Sequence, residues 1–434
     1  LVTPPQLPQW AQISSIEPSH TDRGAAFLTA SRYMWDDYHP YVFETTDFGN
    51  HWAALTSGLP DDQYAFVVRQ DPLAPRLLFA GTRSTAYVSL NAGQDWQPLT
   101  MNLPGVQVRD LAIDSREGEV VAATHGRAFW ILDNLAYLEQ LAGKTSLSVA
   151  GLQLFSPQTA WLSNAYGGSD SPIPDFGDNP KYGAAVFFNV PAVYHGERPL
   201  TISFLDANGA TVRSFVLHAK NTREQKLTPE QEENLDMATE RARDLEKLTT
   251  VKPGPNLFQW DLRYEPAYEA PGVRTLETDD FPDTANGPTI VPGAYTVVLR
   301  YGDETLKAPF NVVLDPRIHS STGDLEARLT LEMQICNSID ALDRSIAAAM
   351  NTRKKLSAAQ AAAVNSEIAD LVLLDIHSSE ADVQHETKVR QQLGFLLNSL
   401  EAAYQRPTVA EYAAYKDLAA LAEAGEKRLK ELIE

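Results

Sequence analysis

Hydrophobic and polar positions follow three different schemes along the chain. Val68–Thr82 (VRQDPLAPRLLFAGT) joins an acidic turn to an apolar strand that ends in a small-small-Thr step. Ala112–Thr124 (AIDSREGEVVAAT) repeats that shape and Ile16–Thr29 (IEPSHTDRGAAFLT) precedes it, so residues 1–142 read as three related β units. Beyond residue 150, strands are predicted at 186–190, 200–206, 211–217, 256–264, 293–301 and 306–314. In the fifth of these Tyr295, Val297 and Leu299 alternate with Thr296, Val298 and Arg300, which gives the strand one buried face. Asn208-Gly209 predicts a two-residue type I′ hairpin. These strands fit an immunoglobulin-like β-sandwich over 150–316. Thr228, Pro229 and Gln231 mark the start of an inserted helix at 228–249, with Leu235, Ala238, Ala242 and Leu245 as its apolar stripe.

From residue 317 the apolar period lengthens to three and four. A first helix carries Leu325, Leu329, Ile335, Ile339, Leu342 and Ile346. Ser357 with Gln360 opens a second through Val364, Ile368 and Leu371, and a third runs through Val389, Leu393, Leu396 and Leu400. Pro407 breaks that helix, and Thr408 with Glu411 caps a fourth containing Tyr412, Tyr415 and Leu429. Short connections predict an antiparallel up-down bundle over 317–434.

Within the β units two turns match each other. TTDFGNHW (45–52) and SLNAGQDW (89–96) share a hydroxyl residue (Thr45, Ser89), an Asp or Asn (Asp47, Asn91), a glycine (Gly49, Gly93) and a tryptophan (Trp52, Trp96). From Trp52 to Trp96 is 44 residues, the length of one four-stranded propeller blade. The Asp or Asn caps a hairpin turn, glycine takes the left-handed position, and the Trp buries against the neighbouring blade. The third unit continues as HGRAFWILDN (125–134), where Asp133 holds the equivalent position but the Gly and Trp are gone. Three blades are fewer than the four or so that a ring needs. The expectation is a partial propeller completed by blades on the N-terminal side of residue 1, with this chain the C-terminal part of a longer precursor.

Composition narrows the functional classes. Acids outnumber bases, 57 against 36, and there is no basic stripe to neutralise phosphates, so nucleic-acid binding is not expected. No apolar run approaches the length of a membrane span. The lone Cys336 excludes intrachain disulfides and thiolate-rich metal sites; on an apolar helical stripe it reads as a small buried hydrophobe. Glu277, Asp279, Asp280 and Asp283 lack calcium-loop spacing and read as a solvated acidic loop, and His377 and His385 are eight apart on a solvated face, so no metal site is expected. Phosphate-binding glycine loops, dinucleotide fingerprints and hydrolase nucleophile elbows are missing from the sequence, and no cofactor is expected.

Two stretches carry candidate chemistry. The first unit holds about nine extra residues, SRYMWDDYHP (31–40), which gather Arg32, Tyr33, Trp35, Asp36, Asp37, Tyr38 and His39 between two strands. Aromatics beside carboxylates suit stacking on a sugar or gripping a peptide; the alternative is a plug covering hydrophobic surface between blades. A glycosidase needs two carboxylates across a cleft, and Asp36 and Asp37 are the candidates here, ahead of Asp61 and Asp62 in their proline-bounded loop. The second stretch is His125-Gly126-Arg127, where the arginine either enters the central channel to bind an anion or forms a salt bridge between blades.

The two turns resemble the Asp-box repeat of sialidase-like, xyloglucanase-like and sortilin-like propellers. With YVFETTDFGNHW, LFAGTRSTAYVSLNAGQDW, ATHGRAFWILDNL, PNLFQWDLRY, VPGAYTVVL and the LDPR at 314–317, nearly the whole chain is similar to the C-terminal half of bacterial Asp-box (BNR) repeat proteins labelled sortilin-like or glycosyl-hydrolase-like. Asn91 in place of Asp, and the degraded third turn, depart from that pattern. The resemblance implies a secreted or periplasmic bacterial protein of mixed β and α class: partial Asp-box β-propeller, Ig-like sandwich and C-terminal helical bundle. It implies a binding protein for a glycan or peptide, with a polysaccharide hydrolase or a structural subunit of an envelope assembly as alternatives.

Overall fold

The structure, a computed structural model, describes residues 2–144, 151–163, 181–196, 198–219, 237–270, 287–373 and 387–434. The chain divides into two units, Leu1–Gln158 with Ala185–Glu197 and Ala219–Phe258, and Thr159–Ala184 with Arg198–His218 and Gln259–Glu434.

Three antiparallel sheets dominate the first unit. The first is β1 (Gln12–Pro18), β2 (Ala26–Arg32), β3 (Asp37–Thr45) and β4 (Ala53–Ala54), paired in sequence order. The second is β5 (Ala65–Gln70), β6 (Leu78–Thr82), β7 (Ala86–Ser89) and β8 (Gln97–Pro98). The third has β9 (Val108–Asp114), β10 (Glu119–Thr124) and β11 (Phe129–Leu132). Because consecutive strands run in opposite directions, the β1–β2 and β3–β4 turns lie at one end of a sheet. The β2–β3 loop and the connection to the next sheet lie at the other.

The sheets pack face to face as successive blades. Phe27 and Val42 share a core with Val68, Leu78, Ala80, Tyr87 and Trp96, while Val67, Phe79 and Val88 share another with Val108, Leu111, Val120 and Ala122. In each first strand the pairing register skips one residue: Ser14 in β1, Phe66 in β5 and Arg109 in β9. A bulge of this kind re-aims the skipped side chain. The same position is therefore turned out of the ladder in all three blades.

The two matching turns repeat each other bond for bond. Thr45 Oγ1 accepts the Gly49 N–H at 2.8 Å, and Asp47 Oδ1 accepts the His51 N–H at 2.8 Å. Ser89 Oγ accepts the Gly93 N–H at 2.9 Å, and Asn91 Oδ1 accepts the Asp95 N–H at 2.9 Å. Each Trp then donates to the chain ahead of its own blade: Trp96 Nε1 to Leu55 O at 2.9 Å and Trp52 Nε1 to Val2 O at 2.7 Å. Those acceptors open a connection that itself recurs, Leu55-Thr56 to Leu59-Pro60 and Leu99-Thr100 to Leu103-Pro104, with a one-residue-longer version from Val2-Thr3 to Leu7-Pro8.

Gln153–Leu154, Ala184–Val190 and Gly254–Trp260 form a small sheet, most of whose residues belong to the first unit. The helix Met237–Thr249 precedes the last of these strands. Its predicted start, Thr228 to Leu235, lies outside the described residues, and Leu245 stands in solvent. Leu248 and Thr249 are turned inward instead, one turn further along.

In the second unit Ala160–Leu162, Glu304–Leu314, Gly293–Tyr301, Leu200–Leu205 and Thr211–Ala219 lie side by side in that order. Tyr295, Val297 and Leu299 are buried, and Phe204 stacks on Trp260 at 4.1 Å. The hairpin at Asn208-Gly209 differs from its prediction. Gly209 alone takes a left-handed φ of 81°, and the loop is longer than two residues, because Asp206 Oδ1 accepts both the Asn208 and Ala210 N–H groups. Among the described residues four helices follow, Thr322–Thr352, Ala358–Leu371, Val389–Glu401 and Val409–Ile433, sharing a core that includes Ile335, Ile339, Leu342, Ile368, Leu393 and Leu429. Ser357 with Gln360 and Thr408 with Glu411 form capping boxes. Tyr412 is exposed, and Leu418 and Ala422 occupy the core in its stead. Cys336 is buried there, its thiol pushed up to about 12 by burial and by Glu332 one turn away. The acidic positions Glu277, Asp279, Asp280 and Asp283, and the pair His377 and His385, lie outside the described residues.

Candidate functional site: an aromatic rim on the blades

The extra residues of the first unit form the β2–β3 loop. Tyr33–Trp35 make a single 3₁₀ turn, and Asp36, left-handed at φ 55°, closes it with its N–H on Tyr33 O at 3.2 Å. The loop is tied at its base. Asp37 Oδ2 accepts from Arg32 Nη1 at 3.2 Å and from the Tyr41 hydroxyl at 2.8 Å, and its Oδ1 accepts the His39 N–H at 3.2 Å. Burial, and then the Asp37 carboxylate, push the Tyr41 hydroxyl up to about 12, so it stays a donor.

Above that base lies a run of rings. Tyr33 stacks on Tyr64, centroids 5.0 Å apart and planes 17° off parallel. Tyr64 meets Phe66 edge-on at 5.1 Å and Tyr38 at 5.9 Å. Two arginines cap the run, Arg83 over Tyr38 at 5.1 Å and Arg109 over Phe66 at 4.0 Å. Beside them Trp10 and Trp35, both exposed, sit 6.3 Å apart with planes tilted by 32°. Arg83 also reaches Asp62 at 3.6 Å, and Gln107 Nε2 donates to the Tyr64 hydroxyl at 3.4 Å. These residues come from the β2–β3 loop and the start of β3, the β6–β7 turn, the stretches ahead of β1, β5 and β9, and the bulged positions of β5 and β9, which strand alternation brings to one end of the sheets.

The predicted residues divide on this frame. Tyr33, Trp35 and Tyr38 join the aromatic run, while Arg32 and Asp37 form its footing. His39 turns aside, with Nδ1 3.2 Å from Asp61 Oδ1 and its ring against Tyr41. His125 lies at the margin, Nδ1 3.3 Å from Gln107 Oε1. Arg127 is exposed and is held through its backbone, its N–H on Thr124 Oγ1 at 3.2 Å; among the described residues no carboxylate pairs with it. Thr45, Asp47, Gly49, Trp52 and their counterparts lie at the opposite end of the sheets, in the β3–β4 and β7–β8 turns.

Trp10, Tyr64, Phe66, Arg83, Gln107 and Arg109 were not singled out from sequence. The inner-strand bulges that turn Phe66 and Arg109 toward each other depend on cross-strand register. A usable signal was the aligned connections, where Gln63-Tyr64-Ala65-Phe66 faces Gln107-Val108-Arg109 after the shared Leu-Pro.

This arrangement suits adsorption more than acid–base work. A glycosidase acid is kept protonated by an apolar setting. Asp37 sits instead in a polar setting, among a guanidinium, a hydroxyl and a backbone N–H. Flat π faces with guanidinium groups over them offer stacking and hydrogen bonding at one place. Among the described residues no cluster of His, Cys, Asp or Glu could hold a metal ion.

No family model matches the chain, and no curated protein resembles it in sequence. Solved structures with related backbones include the GH74 xyloglucanase from Xanthomonas campestris, 14% identical over 49% of this chain and 32% of that one, with a TM-score of 0.23. YCF48 bound to D1 peptide is 13% identical over 42% of this chain and 51% of that one, TM-score 0.22. YCF48 from Cyanidioschyzon merolae is 13% identical over 49% and 73%, TM-score 0.20. The chain thus covers about a third of the xyloglucanase and half of the peptide-bound YCF48. At such identities and TM-scores the likenesses carry no functional argument.

Proposed function

We propose that this chain is an extracytoplasmic multidomain binding protein whose blade rim takes up a glycan without turning it over. The observation that carries this reading is the aromatic run from Tyr33 through Tyr64 to Phe66, flanked by the exposed Trp10–Trp35 pair and capped by Arg83 and Arg109. Sugar rings present C–H faces that lie on Trp and Tyr, and their hydroxyls find Arg83, Asp62 and Gln107. A peptide is the second reading, favoured by the exposed Met34 beside Trp35 and by Arg109, which suits a carboxylate. The sheets and helices beyond residue 150 are read as an Ig-like sandwich and a helical bundle that dock the blades to other material. Placement outside the cytoplasm rests on the resemblance of the turn motifs to Asp-box proteins.

A fluorescence titration against an oligosaccharide panel tests the reading, because Trp10 and Trp35 report directly on anything laid across them. A saturable change in wild type that Trp35→Ala abolishes, with no reducing sugar released, supports it. Reducing sugar released by wild type and lost in Asp37→Asn would instead make the protein a hydrolase.

A further inference from the structure

In the second unit the segment 261–270 lies on the helices, and the contact is polar at its centre. Arg263 Nη1 reaches Glu401 Oε2 at 2.7 Å, at the end of the helix Val389–Glu401. Thr289, bridged to Arg263 through the backbone, donates its N–H to Glu401 Oε1 at 3.0 Å. Beside them Arg328, on the helix Thr322–Thr352, donates to Ala403 O at 3.1 Å and lies over the Tyr404 ring at 4.8 Å. The Tyr404 hydroxyl donates to Ser163 O at 2.9 Å and is hydrogen-bonded to Tyr182. Ala267, Tyr268 and Ala270 carry the same segment onto the core that contains Cys336.

One member of this cluster lacks its counterpart. Glu332 is 0% exposed, one turn along from Arg328. Its carboxyl makes no hydrogen bond among the described residues, although Arg328 Nε stands 3.2 Å away. A buried carboxylate needs its lone pairs satisfied, so the neutral acid is favoured while the contact is closed. Once water reaches the same side chain, the ionised form is favoured at neutral pH.

The charged and titratable groups around Glu332 are Arg328 and Cys336 on its own helix, Glu401 and Tyr404 at and after the end of Val389–Glu401, Arg263 from the strand side, and Tyr182. From the helix Val409–Ile433, Tyr415 turns instead to Gln334 O and Ser338. Burial pushes Glu332 up to about 8 and the Cys336 thiol up to about 12, and lifts Tyr182 and Tyr404 above the usual tyrosine range. Neither the thiol nor the tyrosines therefore ionise in the range where Glu332 does. Asp343, further along the same helix, is pushed up to about 6 by burial against the pull of Arg390.

We propose that this contact is a proton-gated joint: closing segment 261–270 and Thr289 onto the helices traps a proton on Glu332, and opening sets it free. The joint holds in acid and loosens as pH rises toward about 8. Opening is sub-global, parting the contact while strands and helices keep their own structure.

Cys336 is the single cysteine of the chain and is buried one turn beyond Glu332, so its reaction with an aromatic disulfide reports each opening. Its thiolate forms a mixed disulfide with one half of the reagent and displaces the other half as a coloured thiolate. The whole chain is labelled in native buffer from pH 6 to pH 8, as wild type and as Glu332→Gln, which has no proton to release. Dividing the two rates at each pH cancels thiol ionisation and the titration of Asp343. The ratio of wild type to Glu332→Gln should climb roughly fiftyfold across that range. Arg263→Gln, which unfastens Glu401, should speed labelling throughout and keep the slope. If Glu332→Gln does not fold, the urea-unfolded wild type serves as the reference, and a climb at least as steep is expected. A ratio that stays flat with pH overturns the proposal. So does labelling as steeply dependent on urea as unfolding followed by circular dichroism, because Cys336 would then react only from the unfolded chain.

Discussion

Arg109 lays its guanidinium over the ring of Phe66, 4.0 Å from the centroid, and both residues occupy the skipped register position of neighbouring inner strands. Phe66 is buried while Arg109 is exposed, so the pair joins the blade core to the rim. An exposed cation–π contact is worth about 0.5–1 kcal/mol. A double-mutant cycle of Phe66→Leu and Arg109→Ala, followed by urea unfolding, should return a coupling of about that size. A coupling indistinguishable from zero would mean that the two residues only pass close by.

The Asn in the second turn has a local cause. In the first turn Asp47 faces His51, whose hydrogen bonds hold that carboxylate below its usual range. In the second turn the residue four further on is Asp95, whose Oδ2 lies 3.4 Å from Asn91 Nδ2. Asn91→Asp would trade that donor for a like charge, at a cost of about 1 kcal/mol near neutral pH. Adding Asp95→His should recover most of the loss, as judged by thermal unfolding of the single and double variants. Equal stability of all three proteins would contradict this account of the departure.

Glu332 is fully buried beside Arg328, 3.2 Å from its Nε, and neither carboxylate oxygen is hydrogen-bonded among the described residues. Burial pushes its carboxyl up to about 8; Arg328 and Arg263 pull it down and Glu401 adds to the rise. The folded state therefore holds this proton more tightly than the unfolded chain, whose carboxyl titrates near 4.5. Its contribution to stability is complete below that value and is lost as pH rises toward about 8. Glu332→Gln, which cannot ionise, should flatten that decline, so its urea midpoint gains on wild type between about pH 5 and pH 8. A gap between the two proteins that stays constant with pH would remove Glu332 as the cause.

What could be read from sequence was chemistry that acts locally. The turns at Thr45–Trp52 and Ser89–Trp96 are legible because hydroxyl, carboxylate or amide, and glycine satisfy their own backbone within eight residues. The capping boxes at Ser357 and Thr408 are legible for the same reason. Gly293–Tyr301 matches its predicted bounds, since Pro292 precedes it, although Val298 is buried along with Val297 and Leu299 and so breaks the predicted alternation. The Asn208-Gly209 turn was misjudged because Asp206, two residues upstream, organises the loop. Leu245 looked like part of a stripe, but the helix is turned inward one step further along. The rim was half legible. Tyr33, Trp35 and Tyr38 stand out as an insertion, whereas Tyr64, Phe66 and Arg109 look like ordinary strand residues until the sheets are stacked.

Calorimetric titration of the oligosaccharide that gives the strongest fluorescence response compares the two ends of the blades most directly. Tyr33→Ala and Trp35→Ala each remove a ring from the rim, and each should weaken binding roughly tenfold, the worth of one stacked aromatic. Phe48→Ala removes a still more exposed ring from the opposite end, in the Thr45–Trp52 turn, and should leave affinity unchanged. Binding that survives both rim substitutions, or that is lost with Phe48, would contradict the assignment of ligand binding to this rim.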